Sequence, residues 1–310
     1  MSANATTLGL QTPAAIAEKY DNILLKTLKL VGVFQHLAID DSSKLGKAGD
    51  TLHIRKIGGI SVFSYDPTDA TPITYTAPTV SDVLLKLDTN SAVAIPFSEW
   101  ALAVQDVDVQ AGALEEARYS LSRAVDTYVM GKIIAAVPNA NKLAAFDATA
   151  ATEGDVYKQV LAMAAVLKKA GAVPLTNASD LEVVGDTEIG YIVMNPDAIK
   201  FLYAEKAFVK VDSNTFSAGS MFKSGKIAGT IAGVIILESS NLATVTNTVN
   251  VFGGIKKATH FAILKATAGK FIDDPATFVV KYRSLWVYGA VVSYPEALVS
   301  CVWTVSDASI

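Results

Sequence analysis

The chain has 310 residues, 51% hydrophobic and 18% charged, which is enough apolar material for a sizeable core arranged as one large domain or as two or three subdomains. Its net charge of −4 excludes a dedicated nucleic-acid binder, which needs clustered Lys and Arg, and leaves only weak, non-specific contact with DNA. No stretch approaches the roughly 20 apolar residues of a membrane-spanning helix, and the first residues lack a secretory pattern, so no membrane is expected and a cytoplasm is the expected place of synthesis.

Residues 1–12 are polar and without apolar period, as in an extended arm. Thr12 and Pro13 then open a helix whose Ile16, Tyr20, Ile23, Leu24 and Leu28 recur at helical steps, with Gly32 as its end. Residues 46–59 read as a turn and a strand, with Leu52, Ile54 and Lys56 on one face and His53, Arg55 and Ile57 on the other. Residues 60–82 hold three prolines, five threonines and three aspartates but no lysine or arginine. Threonine and tyrosine favour strands and proline is tolerated at edges and turns, so this composition predicts a long β-hairpin with an irregular tip. A two-stranded hairpin is marginal alone and needs a partner surface.

Residues 83–98 return as one strand. From Asp106 to about Val137 the apolar positions Leu114, Ala117, Leu121, Ala124 and Tyr128, flanked by Val125, Val129 and Ile133, step by three and four and predict a long helix. Its length would be roughly 45 Å at 1.5 Å per residue. A polar connection over 139–154 leads to a second helix, 155–170, ended by Gly171. The strand 191–195, a helix opening at Pro196, a Gly-punctuated strand pair near 225–242 and several closing strands complete the chain.

Catalytic patterns are absent from the sequence. His36, His53 and His260 fall in three different elements without a second ligand at metal spacing, and no G-x-S-x-G elbow occurs. Cys301, the only cysteine, sits in the apolar run ALVSCVW and reads as a buried thiol. Gly219 and Gly225 are six apart and Lys226 is followed by Ile227, which fails the phosphate-loop pattern. Gly229 and Gly233, and the pair Gly253–Gly254, read as turns. No cofactor, metal or active site is expected.

The order of parts is itself informative: arm and helix, GDTLHIRKIG strand, Pro/Thr hairpin, VAIPFSEWALAVQDVDV into LEEARYSLSRAVDTYVMGKI, then VMNPDAIKFL, GSMFKSGKIAGTIAGVIILESSNL, FGGIKKATHFAI and VYGAVVSYPEAL. It resembles the major capsid proteins of tailed bacteriophages over nearly the whole chain. The resemblance implies an α+β fold of the Hong-Kong-97 type, with an N-terminal arm and helix (1–45), an extended β-hairpin loop (46–92), a peripheral domain with a long spine helix (93–139 and 251–289) and an axial domain (140–250 and 290–310). It implies a shell subunit that assembles with itself, as pentamers and hexamers, into an icosahedral or prolate capsid around double-stranded DNA. Phe63, Tyr65, Asp66, Pro67, Asp69, Pro72 and Tyr75 would then touch a neighbouring subunit, and Leu114, Leu121, Val125 and Tyr128 would pack the spine helix. A separate scaffolding protein, a portal protein and a decoration protein are the implied partners, with residence in the virion and, during assembly, in the host cytoplasm. Some members of the family cross-link through a lysine in the extended loop. None stands between Lys56 and Lys86 here, so non-covalent assembly is expected.

Two other readings compete. An encapsulin-like compartment shares the fold and would be told apart by neighbouring cargo genes. A soluble α/β enzyme would need a cleft with perturbed carboxylates.

Overall fold

A computed structural model describes residues 33–47, 50–60, 62, 77–98, 109–173, 188–204, 227–274 and 278–305. The expected arm, its helix over 16–28 and the seven hairpin-tip residues from Phe63 to Tyr75 lie outside them. The chain enters through a one-turn helix, α1 (Phe34–Leu37), and a two-residue strand, β1 (Ile39–Asp40). Strands β2 (Thr51–Ile57) and β3 (Val80–Lys86) pair antiparallel as a separate two-stranded ribbon. β2 alternates as expected, with Leu52, Ile54 and Lys56 turned inward.

The expected single strand over 83–98 is two strands. β3 ends at Lys86 and β4 (Thr89–Ser98) starts in another sheet, because buried Leu87 turns the chain from the ribbon onto the body. Helix α2 follows as Val109–Ala136, 28 residues or roughly 42 Å. It contains Gly112, and Pro138 stands just beyond its end. The polar and Ala-rich connection over 139–154 holds a two-residue strand, β5 (Phe146–Asp147), which exists only through parallel pairing with the last strand.

Helix α3 is Asp155–Lys169, with Gly171 at φ 99° behind it. Asp155 in its first turn accepts hydrogen bonds from the hydroxyl and the N–H of Thr152 and an ion pair from Lys158 at 2.9 Å. The Thr152 hydroxyl above all, then Lys158 and the Thr152 N–H, hold the Asp155 carboxyl down to about 2. A lowered folded value stabilises the fold above the unfolded carboxylate pKa of about 4 and loses that contribution as pH falls toward 2. Melting temperatures of wild type and Asp155→Asn are therefore expected to differ at pH 6 and to converge as pH approaches 2.

β6 (Gly190–Met194) is fully buried and runs into α4 (Pro196–Ala204). Asn195 caps that helix, its Oδ1 accepting from the Asp197 N–H at 2.7 Å, while Pro196 suits the first helical position. β7 (Ile227–Ile231) and β8 (Val234–Glu238) form a tight hairpin in which Ala232 and Gly233 both take positive φ, 52° and 77°. β9 (Thr248–Ile255), β10 (Thr259–Asp274), β11 (Val279–Val292) and β12 (Val299–Thr304) close the chain.

Two larger sheets result, ordered β5-β12-β9-β6-β8-β7 and β1-β10-β11-β4. The boundary expected at residue 251 falls inside β9, whose ladder with β12 and β6 keeps 251–255 in the six-stranded sheet. Likewise β4 begins in the four-stranded sheet at Thr89, ahead of the boundary at 92, and β11 stays in it to Val292, past the boundary at 289. Gly253 and Gly254 are not a turn but the interior of β9. A Cβ there would stand 2.7 Å from the Tyr191 carbonyl oxygen or from a Leu298 methyl, so what demands glycine is close packing, and the turn itself is the 3-10 segment Lys256–Ala258.

One large core joins both sheets, with Trp303, Phe252, Phe261, Met163 and Ile192 among its fully buried members. Cys301 lies within it. Burial pushes its thiol pKa up, with Gln159 at 3.1 Å as a nearby donor.

Candidate assembly site

The two-stranded ribbon has no core of its own. Leu52, Ile54 and Leu85 pack with Leu45, Leu87, Ala262 and Val287 against one face of the four-stranded sheet, and this small cluster is the ribbon's seat. Where the chain leaves the ribbon, the Lys86–Leu87 backbone crosses directly over Gly289 of β11. A Cβ on Gly289 would lie 1.8 Å from the Lys86 carbonyl oxygen and 2.8 Å from its carbonyl carbon.

Farther along the stem, Lys56 reaches Glu296 at 2.6 Å and sits 4.2 Å from the centroid of the Tyr294 ring. Burial raises the Glu296 carboxyl pKa, but the Lys56 hydrogen bond, a backbone N–H and the Lys56 charge together leave it below its ordinary value. Glu296 belongs to the 3-10 segment Pro295–Ala297 between the two sheets, and Asn141 pins that segment by donating to the Glu296 and Leu298 carbonyls at 2.9 Å each. The stem thus rests on the 3-10 segment that links β11 to β12, which Asn141 holds from the turn beyond α2. Beyond it the ribbon turns outward: Ile57, Ile60, Val62 and Val80 are 67%, 69%, 97% and 57% exposed. Four exposed aliphatic side chains on one thin ribbon suit contact with another surface.

Helix α2 lies on the other face of the four-stranded sheet. Leu114, partly buried, packs with Ala117 against Phe97 and Tyr282. Leu121 and Val125 are buried, and Tyr128 meets Tyr288 edge-on with centroids 5.0 Å apart. Within this apolar stripe sits a charge absent from the sequence-based candidates. Asp126 is fully buried, and its Oδ1 accepts from the N–H groups of Val33 and Phe34 at 3.0 and 2.8 Å while its Oδ2 accepts from Asn241 Nδ2 at 2.7 Å. One carboxylate therefore ties the chain's entry at α1 and the loop after β8 to the long helix. Gly289 and Lys56 were likewise no candidates. An aspartate at an i, i+1 position beside Val125 inside an apolar helix face was the legible sign for Asp126; nothing local marks Gly289.

Asp41 Oδ2 accepts from His260 Nδ1 at 2.7 Å, a pairing across 219 residues that the sequence did not reveal, and Lys44 joins the same Asp41 at 2.6 Å. With the parallel β1–β10 pairing, this fixes residues 39–44 along the sheet edge. Among the described residues no group of three or more His, Cys, Asp or Glu is placed to hold a metal ion, and no helix is long and apolar enough to cross a membrane.

The family model for phage capsid protein matches residues 69–301. Among solved structures, a chain from Mycobacterium phage Che8 is similar at 17% identity with a TM-score of 0.69, covering 92% of this chain and 96% of that one. The capsid structure of cyanophage P-SCSP1u has 14% identity and a TM-score of 0.70, covering 93% of both chains. The mature capsid of bacteriophage PhiM1 has 14% identity and a TM-score of 0.65, covering 93% of this chain and 91% of that one. A search of curated protein sequences finds no match. With an α+β fold shared with these phage structures and a family match spanning from the hairpin tip to β12, this chain belongs to the phage capsid protein family and is a shell-forming major capsid protein.

Proposed function

We propose that the chain builds an icosahedral or prolate shell of pentamers and hexamers around double-stranded DNA, and that copies join through the β2–β3 ribbon and its tip. The observation that carries this reading is a ribbon without a core of its own, seated at its root and exposing Ile57, Ile60, Val62 and Val80 at its outer end. In this reading residues 1–45 are the arm and its helix, and the extended loop is 46–88. The peripheral domain is α2 with the four-stranded sheet, and the axial domain is the six-stranded sheet with α3 and α4. Phe63, Tyr65, Asp66, Pro67, Asp69, Pro72 and Tyr75 contact the neighbour. The family match favours a phage shell over an encapsulin-like one. The subunit acts without enzymatic chemistry and joins non-covalently. It assembles in the host cytoplasm with a separate scaffolding protein, a portal and a decoration protein, and meets packaged DNA only through weak, generic contacts. Deleting residues 62–80 tests the role of the loop. The expected product is a folded subunit, with unchanged circular dichroism, that no longer forms shells; shells formed at wild-type yield would contradict it.

A further inference from the structure

The ribbon is held by apolar side chains at its root and by a charge farther out. Directly paired residues of its two strands share a face, so Leu52 with Leu85, Ile54 with Val83 and Lys56 with Ser81 are the rungs turned to the body. Lys56 is the one charged side chain on these rungs. On the outer face, Asp82 is met within the ribbon itself by His53 at 3.5 Å and Arg55 at 3.9 Å. Lys56 stands two residues past Ile54, about 7 Å beyond the last side chain of the seat. A single seat leaves a lever free to rock. A second contact beyond it sets the direction in which the ribbon leaves.

The receptor for Lys56 is firmly built. Glu296 Oε1 at 2.6 Å and the Tyr294 ring at 4.2 Å place the ammonium from two sides. Around Glu296, Asn141 donates to the Glu296 and Leu298 carbonyls, and the N–H groups of Ala297 and Leu298 donate to the carbonyls of Tyr294 and Pro295 at 3.1 Å each. This segment also joins the four-stranded sheet, which carries the root, to the six-stranded sheet. The ion pair itself is open, its side chains 25% and 59% exposed, and a pair so exposed adds little to folding stability. Its contribution is geometric.

We propose that Lys56 is a positioning residue for assembly: held between Glu296 and Tyr294, it fixes the angle at which the ribbon leaves its own subunit, and that angle keeps the shells uniform. This rests on the reading that copies join through the ribbon. A swing about the root displaces the exposed Ile57, Ile60, Val62 and Val80 together, which changes the angle between joined copies and with it the closure of the lattice.

The test uses the full chain. Glu296→Gln and Lys56→Met open the latch while keeping most of each side chain, and Lys56→Arg keeps the charge and the ring contact. Spin labels on Ser81→Cys, at the Lys56 rung, and Asn250→Cys, on β9, both exposed positions, report the distance from ribbon to six-stranded sheet in the unassembled subunit; the native Cys301 is buried. Electron microscopy gives the shell diameters. Wild type and Lys56→Arg are expected to show one dominant distance and one shell size. In Glu296→Gln and Lys56→Met the share of subunits at other distances is expected to rise about two- to fivefold, the worth of an exposed ion pair. Both should melt like wild type and give shells of mixed diameter or open sheets. Uniform wild-type shells from both variants overturn the proposal, as does a lowered melting temperature with an unchanged distance, the result of a merely structural ion pair. If deletion of 62–80 abolishes shells while the latch variants assemble as wild type, only the role of Lys56 is wrong; if the deletion also leaves shells intact, the reading beneath it fails.

Discussion

Gly289→Ala is expected to unseat the ribbon. The new Cβ would meet the Lys86 carbonyl oxygen at 1.8 Å and its carbonyl carbon at 2.8 Å, and both obstacles are main chain, so no rotamer change relieves them. Overpacking against flexible side chains costs about 1–3 kcal/mol, and a backbone clash belongs at or above the top of that range. Strain at the Lys86–Leu87 crossing is transmitted to Leu85 and Leu87, which hold the ribbon on Val287 and Ala262. Hydrogen exchange should therefore quicken in residues 51–57 and 80–86 while the buried strand 190–194 stays protected, and shell formation should fall with it. Wild-type protection of the ribbon in the alanine variant would contradict this account of its seat.

Asp126→Ala is expected to destabilise the whole subunit. It strands the N–H groups of Val33 and Phe34 and the amide of Asn241 in a buried setting. At ~1–3 kcal/mol for each unsatisfied buried donor, and with less than full additivity among neighbours, the loss should be about 3–5 kcal/mol. Asp126→Asn is the informative control. It keeps an acceptor for the two N–H groups, and the Asn241 amide, whose Oδ1 has no partner, can turn to accept from the new amide nitrogen. A loss of about 1–2 kcal/mol is expected for that variant. Urea unfolding of both proteins measures the difference; equal losses would mean that the charge, not the acceptor geometry, holds the junction.

Local pattern revealed much of this fold because many elements are governed by local rules. The alternation in β2, the apolar stripe of α2 and the Asn195-Pro196 start of α4 each follow from neighbours in sequence. What escaped depends on distant contacts. β5 is two residues long and exists because β12 lies beside it. Gly253 and Gly254 carry a turn-like signature, yet they are needed where Tyr191 and Leu298 press against β9. The break after Lys86 is set by where the ribbon meets β11, which no window around residue 87 contains.

The candidate site divides in the same way. An unusual composition marked residues 60–82, most of which lie outside the described residues; the stem that is described, paired from Thr51–Lys86 to Ile57–Val80, flanks that stretch. The groups that anchor it do not advertise themselves: Gly289 is one glycine among 20, and Lys56 gains its meaning from Glu296, 240 residues away.

Electron microscopy of the purified full chain under a range of salt, pH and crowding conditions tests the central claim most directly. Uniform closed shells, tubes, or isolated pentamers and hexamers are the expected result. A protein that stays strictly monomeric under every condition would contradict the account.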